Sequence, residues 1–268
     1  MPALIKKYYS IARTGFQQGL EHRVDFFIGI IGWSMRIMIS AFLFMAVFQS
    51  RASIGNYNFS DTMLYFLVVQ IIMTFSFVRV EFNVCNDIQT GDFSNYLVKP
   101  ISYLSYQIAS ELGKNIVRSL FGVGIFGVAI LLYRPEFYLH LPYLQAPLIL
   151  LSIIFSFFIS TFLTTSIALL SFWLISAHRV IYMFFAIQSI FSGMMIPIQF
   201  FPEQFQHILS YTPFPYIFYY PAQMIIHPGT AGGIFHILGA QMIIILIEFI
   251  IINAMFAVGM KKYEATGR

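Results

Sequence analysis

The sequence predicts an all-α integral membrane protein. The expected architecture has six transmembrane helices, an N-terminal interfacial amphipathic helix, re-entrant extracellular helices between spans five and six, and both termini in the cytoplasm. Three observations predict it. Of 268 residues, 59% are hydrophobic and only 10% charged, with a mean hydropathy of +0.78. A soluble domain carries about 25% charged residues, so this chain lacks the polar groups to clothe a water-facing surface. Its apolar residues gather in runs near the ~20 residues that a helix needs to cross the hydrocarbon. Its cations sort to one side of those runs.

Six runs qualify as spans: Phe26–Phe48, Thr62–Phe82, Ile108–Tyr133, Leu144–Ile175, Val180–Gln199 and Ile234–Val258. The third is the least apolar, because Glu111, Lys114 and Arg118 occupy its first turns. Those turns belong in the interface, where long side chains reach water. With the N-terminus inside, Lys6, Lys7, Arg13, Arg23, Arg79, Lys99, Lys114, Arg118, Arg179, Lys261, Lys262 and Arg268 are cytoplasmic, and only Arg51 and Arg134 are outside. The positive-inside rule therefore places both termini inside.

Residues 1–24 precede the first span. Leu4, Ile5, Tyr8, Ile11, Ala12, Phe16 and Leu20 recur there at helical spacing, with Lys6, Lys7, Arg13 and Gln17 mostly off the stripe. The pattern fits a helix lying in the inner headgroup layer; a soluble helix packed on a partner would share it. Charge mixed into this stretch leaves no apolar core for a signal peptide. Between spans five and six, residues 200–230 are too apolar for a solvated loop, and Pro202, Pro213, Pro215, Pro221 and Pro228 break any long helix. A seventh span here would move Lys261, Lys262 and Arg268 outside, so two short re-entrant helices are expected. Residues 1–268 read as a single domain.

Several function classes lack their motifs. The chain has no G-x-x-x-x-G-K-S/T phosphate loop, no H-E-x-x-H among its six histidines and no G-x-S-x-G elbow. No enzyme activity, metal or bound cofactor is expected of it. Its fifteen Lys and Arg form no basic stripe, which argues against nucleic acid. A single cysteine, Cys85, precludes an internal disulfide.

The polar elbow at 83–104, between spans two and three, is the most distinctive segment. Gly91 permits a tight turn, and Asp92 can cap a helix beginning near Phe93. Phe93, Tyr96 and Leu97 would give that helix an apolar-aromatic face suited to a protein interface. Pro100 ends it, and Lys99 offers a charge to a partner. An ordinary interfacial loop has the same composition.

Ile88, Gly91, Leu97, Pro100, Ile101 and Ser102 fill an I-x-x-G-x-x-x-x-x-L-x-x-P-I/L-S pattern. "FSGMMIPIQFFPEQF…TPFPYIFYYPAQM" follows F-S-G-x-x-I-P-x-x-x-F-P and then P-F-x-Y-x-x-Y-x-P. Tyr263, Glu264, Ala265 and Gly267 follow Y-E-A-x-G. Together these resemble the bacterial ABC-2 type permeases, in a branch of ABC exporter transmembrane subunits. The resemblance implies a multi-pass subunit of the bacterial inner membrane that forms half of a dimeric path. The second permease subunit would be a like or an unlike copy. ATP and Mg would bind a separate ABC ATPase, which would dock on the elbow as a coupling helix through Gly91, Asp92, Phe93, Tyr96, Leu97, Lys99 and Pro100. Spans two and five would line the path, with Gln70, Thr74, Phe77, Gln188 and Phe191 as candidates. Such a stripe also serves simple packing. Gly122, Gly124 and Gly127 are expected to permit close helix contact.

Two charges remain inside spans. Arg36 and Glu248 both lie about eleven residues, roughly 17 Å, from the cytoplasmic ends of their helices. Isolated, each would cost at least ~2.5–3.5 kcal/mol, so they are expected to pair or to face a polar crevice. Glu248 also admits an alternative, a proton-coupled secondary transporter. Tyr211, Phe214, Tyr216, Phe218, Tyr219 and Tyr220 would form an outer lid, which suits a hydrophobic or amphipathic cargo moved outward.

Overall fold

Helix α1 (Pro2–Glu21) does not stand alone but runs along the first half of α6 (Tyr103–Tyr133). Small residues set the approach. A Cβ on Gly15 would lie 2.2 Å from the Ser110 carbonyl oxygen, and one on Gly113 would lie 2.0 Å from that of Ala12. Gly19 sits against Val117. The Gly15-x-x-x-Gly19 spacing brings two backbones together as small-residue pairs do in membranes. Tyr8, Ile11, Ala12 and Phe16 turn inward as the stripe predicted, whereas Leu20 is exposed. At about 46 Å, α6 exceeds the ~30 Å hydrocarbon thickness. Its surplus length is the polar part clasped by α1.

The computed structural model describes residues 2–21, 23–55, 57–133, 143–174, 176–227 and 229–263. Arg134, Pro228, Glu264, Ala265, Gly267 and Arg268 lie outside the described residues, as do the side chains of Leu4, Ile5 and Arg23.

The remaining helices are α2 (Arg23–Ser50), α3 (Phe59–Ser76), α4 (Val80–Thr90), α5 (Ser94–Leu97), α7 (Ala146–Leu169), α8 (Ala177–Phe191), α9 (Glu203–Ser210), α10 (Tyr219–Ile226) and α11 (Ala231–Met260). The described residues contain no strand, only an isolated Ile54–Tyr57 bridge. Five segments are long and apolar enough to cross a membrane: Ile31–Ser50, Phe59–Thr90, Tyr103–Tyr133, Ala146–Phe172 and Gly232–Met260.

The fifth expected span, Val180–Gln199, differs. Its helix α8 is only 15 residues long, about 22 Å, and stops at Phe191. Gly193 then adopts φ +82°, and the Tyr65 hydroxyl donates to its carbonyl at 2.6 Å. A Cβ at Gly193 would lie 2.5 Å from that hydroxyl oxygen. Residues 192–199 do not continue the helix: Ser192, Met194 and Ile198 are buried in an irregular turn, while Met195 and Ile196 are exposed.

The second expected span, Thr62–Phe82, is also interrupted. Phe77, Val78 and Arg79 are non-helical, with Phe77 extended at φ −79°, ψ 119°. Neither Gly nor Pro marks the break. Its freed carbonyls are satisfied from α6: Asn115 Nδ2 donates to Phe75 O at 2.8 Å and Phe77 O at 3.2 Å, and Arg118 Nη1 donates to Phe77 O at 2.8 Å. Irregular backbone at such a depth is tolerated where protein satisfies it.

Within residues 200–230 lie two eight-residue helices, α9 and α10, joined by a connection that holds a 3-10 turn at Phe214–Tyr216. Gln241 of α11 anchors this segment. Its Nε2 donates to Tyr216 O at 3.0 Å and Ser152 O at 3.1 Å, while its Oε1 accepts from Ser152 Oγ at 2.9 Å. Phe218 and Tyr216 are therefore core residues, and among the expected lid aromatics Tyr211 is the exposed one, at 80%.

Candidate functional site

The elbow emerges where the C-terminal end of α4, the start of α6 and the end of α11 meet. Gly91 closes α4 with φ +85°, a left-handed conformation that favours glycine. The next residue but one turns back inward: Phe93 N–H donates to Asp87 O at 2.8 Å. The Phe93 ring is fully buried in a box of aromatic edges. Ring centroids lie at 4.8 Å for Tyr103, 5.0 Å for Tyr263, 5.8 Å for Phe172 and 5.9 Å for Phe256. The box thus joins the elbow to α6, to the 3-10 turn Leu170–Phe172 that follows α7, to α11 and to the segment after it. Polar ties reinforce it. Asp87 Oδ2 accepts from Tyr103 Oη at 2.7 Å and Gln107 Nε2 at 3.1 Å, and Tyr263 Oη donates to Gly91 O at 2.9 Å.

The single apolar-aromatic face expected of Phe93, Tyr96 and Leu97 is consequently divided. Phe93 is an internal anchor, Tyr96 is half-buried against Tyr103 and Tyr106, and Leu97 is exposed. Burial pushes the Tyr96 hydroxyl up to about 12, so it stays neutral near pH 7. Asp92 does not cap α5 as expected. Its Oδ2 instead accepts from Thr90 Oγ1 at 2.8 Å, and α5 has no side-chain cap. Helix α5 has only four residues, so little helix exists to cap. Lys99 lies 4.7 Å from the Tyr96 ring centroid, and Lys7 of α1 donates to the Pro100 carbonyl. What the elbow offers outward is Asp92, Asn95 and the run Leu97–Pro100, with Val98 at 84% exposure.

Behind the elbow, Glu111 is buried and takes two cations of its own helix: Arg118 Nη2 at 3.1 Å and Lys114 Nζ at 3.5 Å. The cluster holds Arg118 against the α3–α4 break. Such an arrangement is costly to disturb, because a buried carboxylate without its cations is strongly penalised.

The intramembrane charges do not form the expected pair among the described residues. Arg36 Nη2 donates to Gln70 Oε1 and lies 3.0 Å from Met73 Sδ. The matched depths of Arg36 and Glu248 are irrelevant to each other because α2 leans on α3, whereas α11 runs along α7. Glu248 is buried at 8% exposure, with no hydrogen bond or ion pair among the described residues.

The candidate path residues separate into three places. Gln70 is occupied by Arg36, and Thr74 is pressed against Gly122, where a Cβ would lie 2.2 Å from Thr74 Cγ2. Phe77 and Gln188 share a small pocket with Glu81, Ser160 and Thr164. Phe191, at the C-terminal end of α8, packs instead against Phe201 and Phe214.

Sequence reasoning missed the contact of Tyr263 with the elbow, the capping role of Asn115 and the anchoring role of Gln241. Gln241 carries a signal of its own, an amide side chain inside an otherwise apolar helix, whereas Asn115 is masked by the charges around it at Glu111, Lys114 and Arg118. The Tyr263 contact has none, since it joins positions 172 residues apart.

No curated protein matches the chain. A family model described as ABC-2 family transporter protein matches residues 35–267, which takes in the first long apolar segment from Met35 onward, the other four whole, the elbow and residues 200–230. A match over most of the chain, on a multi-pass helical bundle with its polar elbow tied to three helices, makes this protein a member of the ABC-2 family of membrane transporters.

Proposed function

We propose that this chain is the permease subunit of an ATP-binding-cassette exporter. It would form half of a dimeric path and be driven by a separate ATPase that binds ATP and Mg. On this reading the chain lies in a bacterial inner membrane with both termini inside, and it moves a hydrophobic or amphipathic cargo outward. One observation supports the reading best. The elbow exposes Leu97–Pro100 while sinking Phe93 into a box shared by α6, α11 and the turn after α7. A load applied to the exposed residues would reach all three through one ring. The end of the bundle that carries the elbow also carries Lys7, Lys114, Arg118, Lys261 and Lys262, in keeping with an inward-facing side.

Copurification from native membranes, with a crosslinker placed by Val98→Cys, tests this reading. A nucleotide-hydrolysing subunit joined at residue 98 is expected; such a subunit clasping another surface while residue 98 stays bare would refute it. Buried Glu248 keeps a proton-coupled mechanism as the rival. Flux that persists after ATP is exhausted, with a proton gradient maintained, would favour that rival.

A further inference from the structure

A second cavity lies off the expected path. It is a groove of about 620 Å³ between α1, α2, α4 and α6, at the α3–α4 break. Among the described lining residues its polar wall carries Arg79, Lys114 and Arg118 against a single carboxylate, Glu111. Arg118 and Lys114 already share Glu111, so the wall holds two positive charges in excess. Arg79 is exposed, and its guanidinium carbon lies 6.0 Å from the Phe77 ring centroid. It also stands at the N-terminus of α4, which has no side-chain cap and where the helix field favours an anion. Glu81, which interacts electrostatically with Arg79 and Arg118, lines the separate pocket with Ser160, Thr164 and Gln188 rather than this groove.

The other wall is apolar: Trp33 of α2, Phe82 of α4 and Val117 of α6. Helix α2 beside it turns Ile28, Ile31 and Met35 outward, each more than half exposed. A cationic wall facing an apolar one, next to a surface of membrane character, fits an amphiphile with an anionic head. Its volume falls within the ~300–1,000 Å³ of ordinary ligand sites. A free inorganic anion would use the cations and leave the apolar wall at Trp33 and Phe82 uncovered.

We propose that this groove binds one anionic phospholipid of the surrounding leaflet, its phosphate at Arg79, Lys114 and Arg118 and the start of an acyl chain along Trp33, Phe82 and Val117. The site is independent of any ATPase, because every residue in it belongs to this chain. A bound lipid would bridge α1 and α2 to α4 and α6, and so would stiffen the break at residues 77–79.

The test is native mass spectrometry of the full chain in nonionic detergent, with phosphatidylglycerol or phosphatidylcholine added at equal concentration. One phosphatidylglycerol per chain is expected to be retained, preferred over phosphatidylcholine by about tenfold, as a lost charge-assisted contact implies. Arg79→Gln is chosen because this exposed side chain can change without disturbing the Glu111 cluster, and it should abolish the preference. Arg179→Gln removes the same charge from an exposed site on α8 and should leave the preference intact. Equal retention of the two lipids would overturn the proposal, as would an equal loss in both variants, or displacement of the lipid by inorganic phosphate at matched concentration. None of these outcomes bears on ATPase docking, which the Val98 crosslink reads separately.

Discussion

Phe93 shows how far a residue's role can be read from its neighbours in sequence. Spacing alone assigns it to the same outward face as Tyr96 and Leu97, yet it is fully buried among four aromatic rings. Those rings come from residues 103, 172, 256 and 263, too distant in sequence for any local pattern to announce them. Phe93→Ala should lower stability by about 3–5 kcal/mol, as truncations of buried aromatics do, measured by thermal unfolding in detergent. Phe93→Leu should cost clearly less. If the alanine variant unfolds like the parent, Phe93 is not the anchor. Tyr263→Phe keeps the ring and removes only the hydroxyl bond to Gly91 O. A loss of about 1 kcal/mol is expected. Asn115→Leu strips one donor from both Phe75 O and Phe77 O. It should cost about 1–3 kcal/mol and raise hydrogen exchange at residues 77–80 specifically. Uniform exchange across the chain would assign Asn115 a packing role instead.

Helix content was legible at the scale of elements because apolar length is a local property. Five of the six expected spans correspond to long apolar helical segments. Two features were not legible, and for different reasons. Residues 192–199 are as apolar as a span, but Gly193 and Pro197 fold them into a turn packed on Tyr65. The break at Phe77–Arg79 contains no helix breaker, so it is dictated by donors on α6. The seat of α1 was half legible. Its stripe located the buried face, while two interpretations of what that face meets stayed open until Gly15, Gly19 and Gly113 were seen in contact with α6 or α1. Gly113→Val would drive a side chain into the Ala12 carbonyl. We expect α1 to detach, detected as rapid proteolysis near Glu21 while the fragment from residue 23 onward stays folded. Unchanged proteolysis would mean that α6 can shift to accommodate the branch.

For the whole molecule, the sidedness read from cation counts has a direct check. In a Cys85→Ala background, Val98→Cys should react with a membrane-impermeant maleimide only in inside-out vesicles, and Tyr211→Cys only in right-side-out ones. Both side chains are at least 80% exposed, so a failure to label reports topology rather than burial. The reverse pattern would invert the molecule and remove the elbow from the reach of any cytoplasmic ATPase. The clasp between α1 and α6 also bears on how the protein is made. The partner surface of α1 begins at Tyr103, some eighty residues downstream of Glu21. At roughly 5–20 residues per second of synthesis, the newborn first helix waits several seconds before that surface exists. During the wait its greasy stripe has only the lipid headgroups to rest upon, so the same pattern must serve first as a raft and then as a buckle.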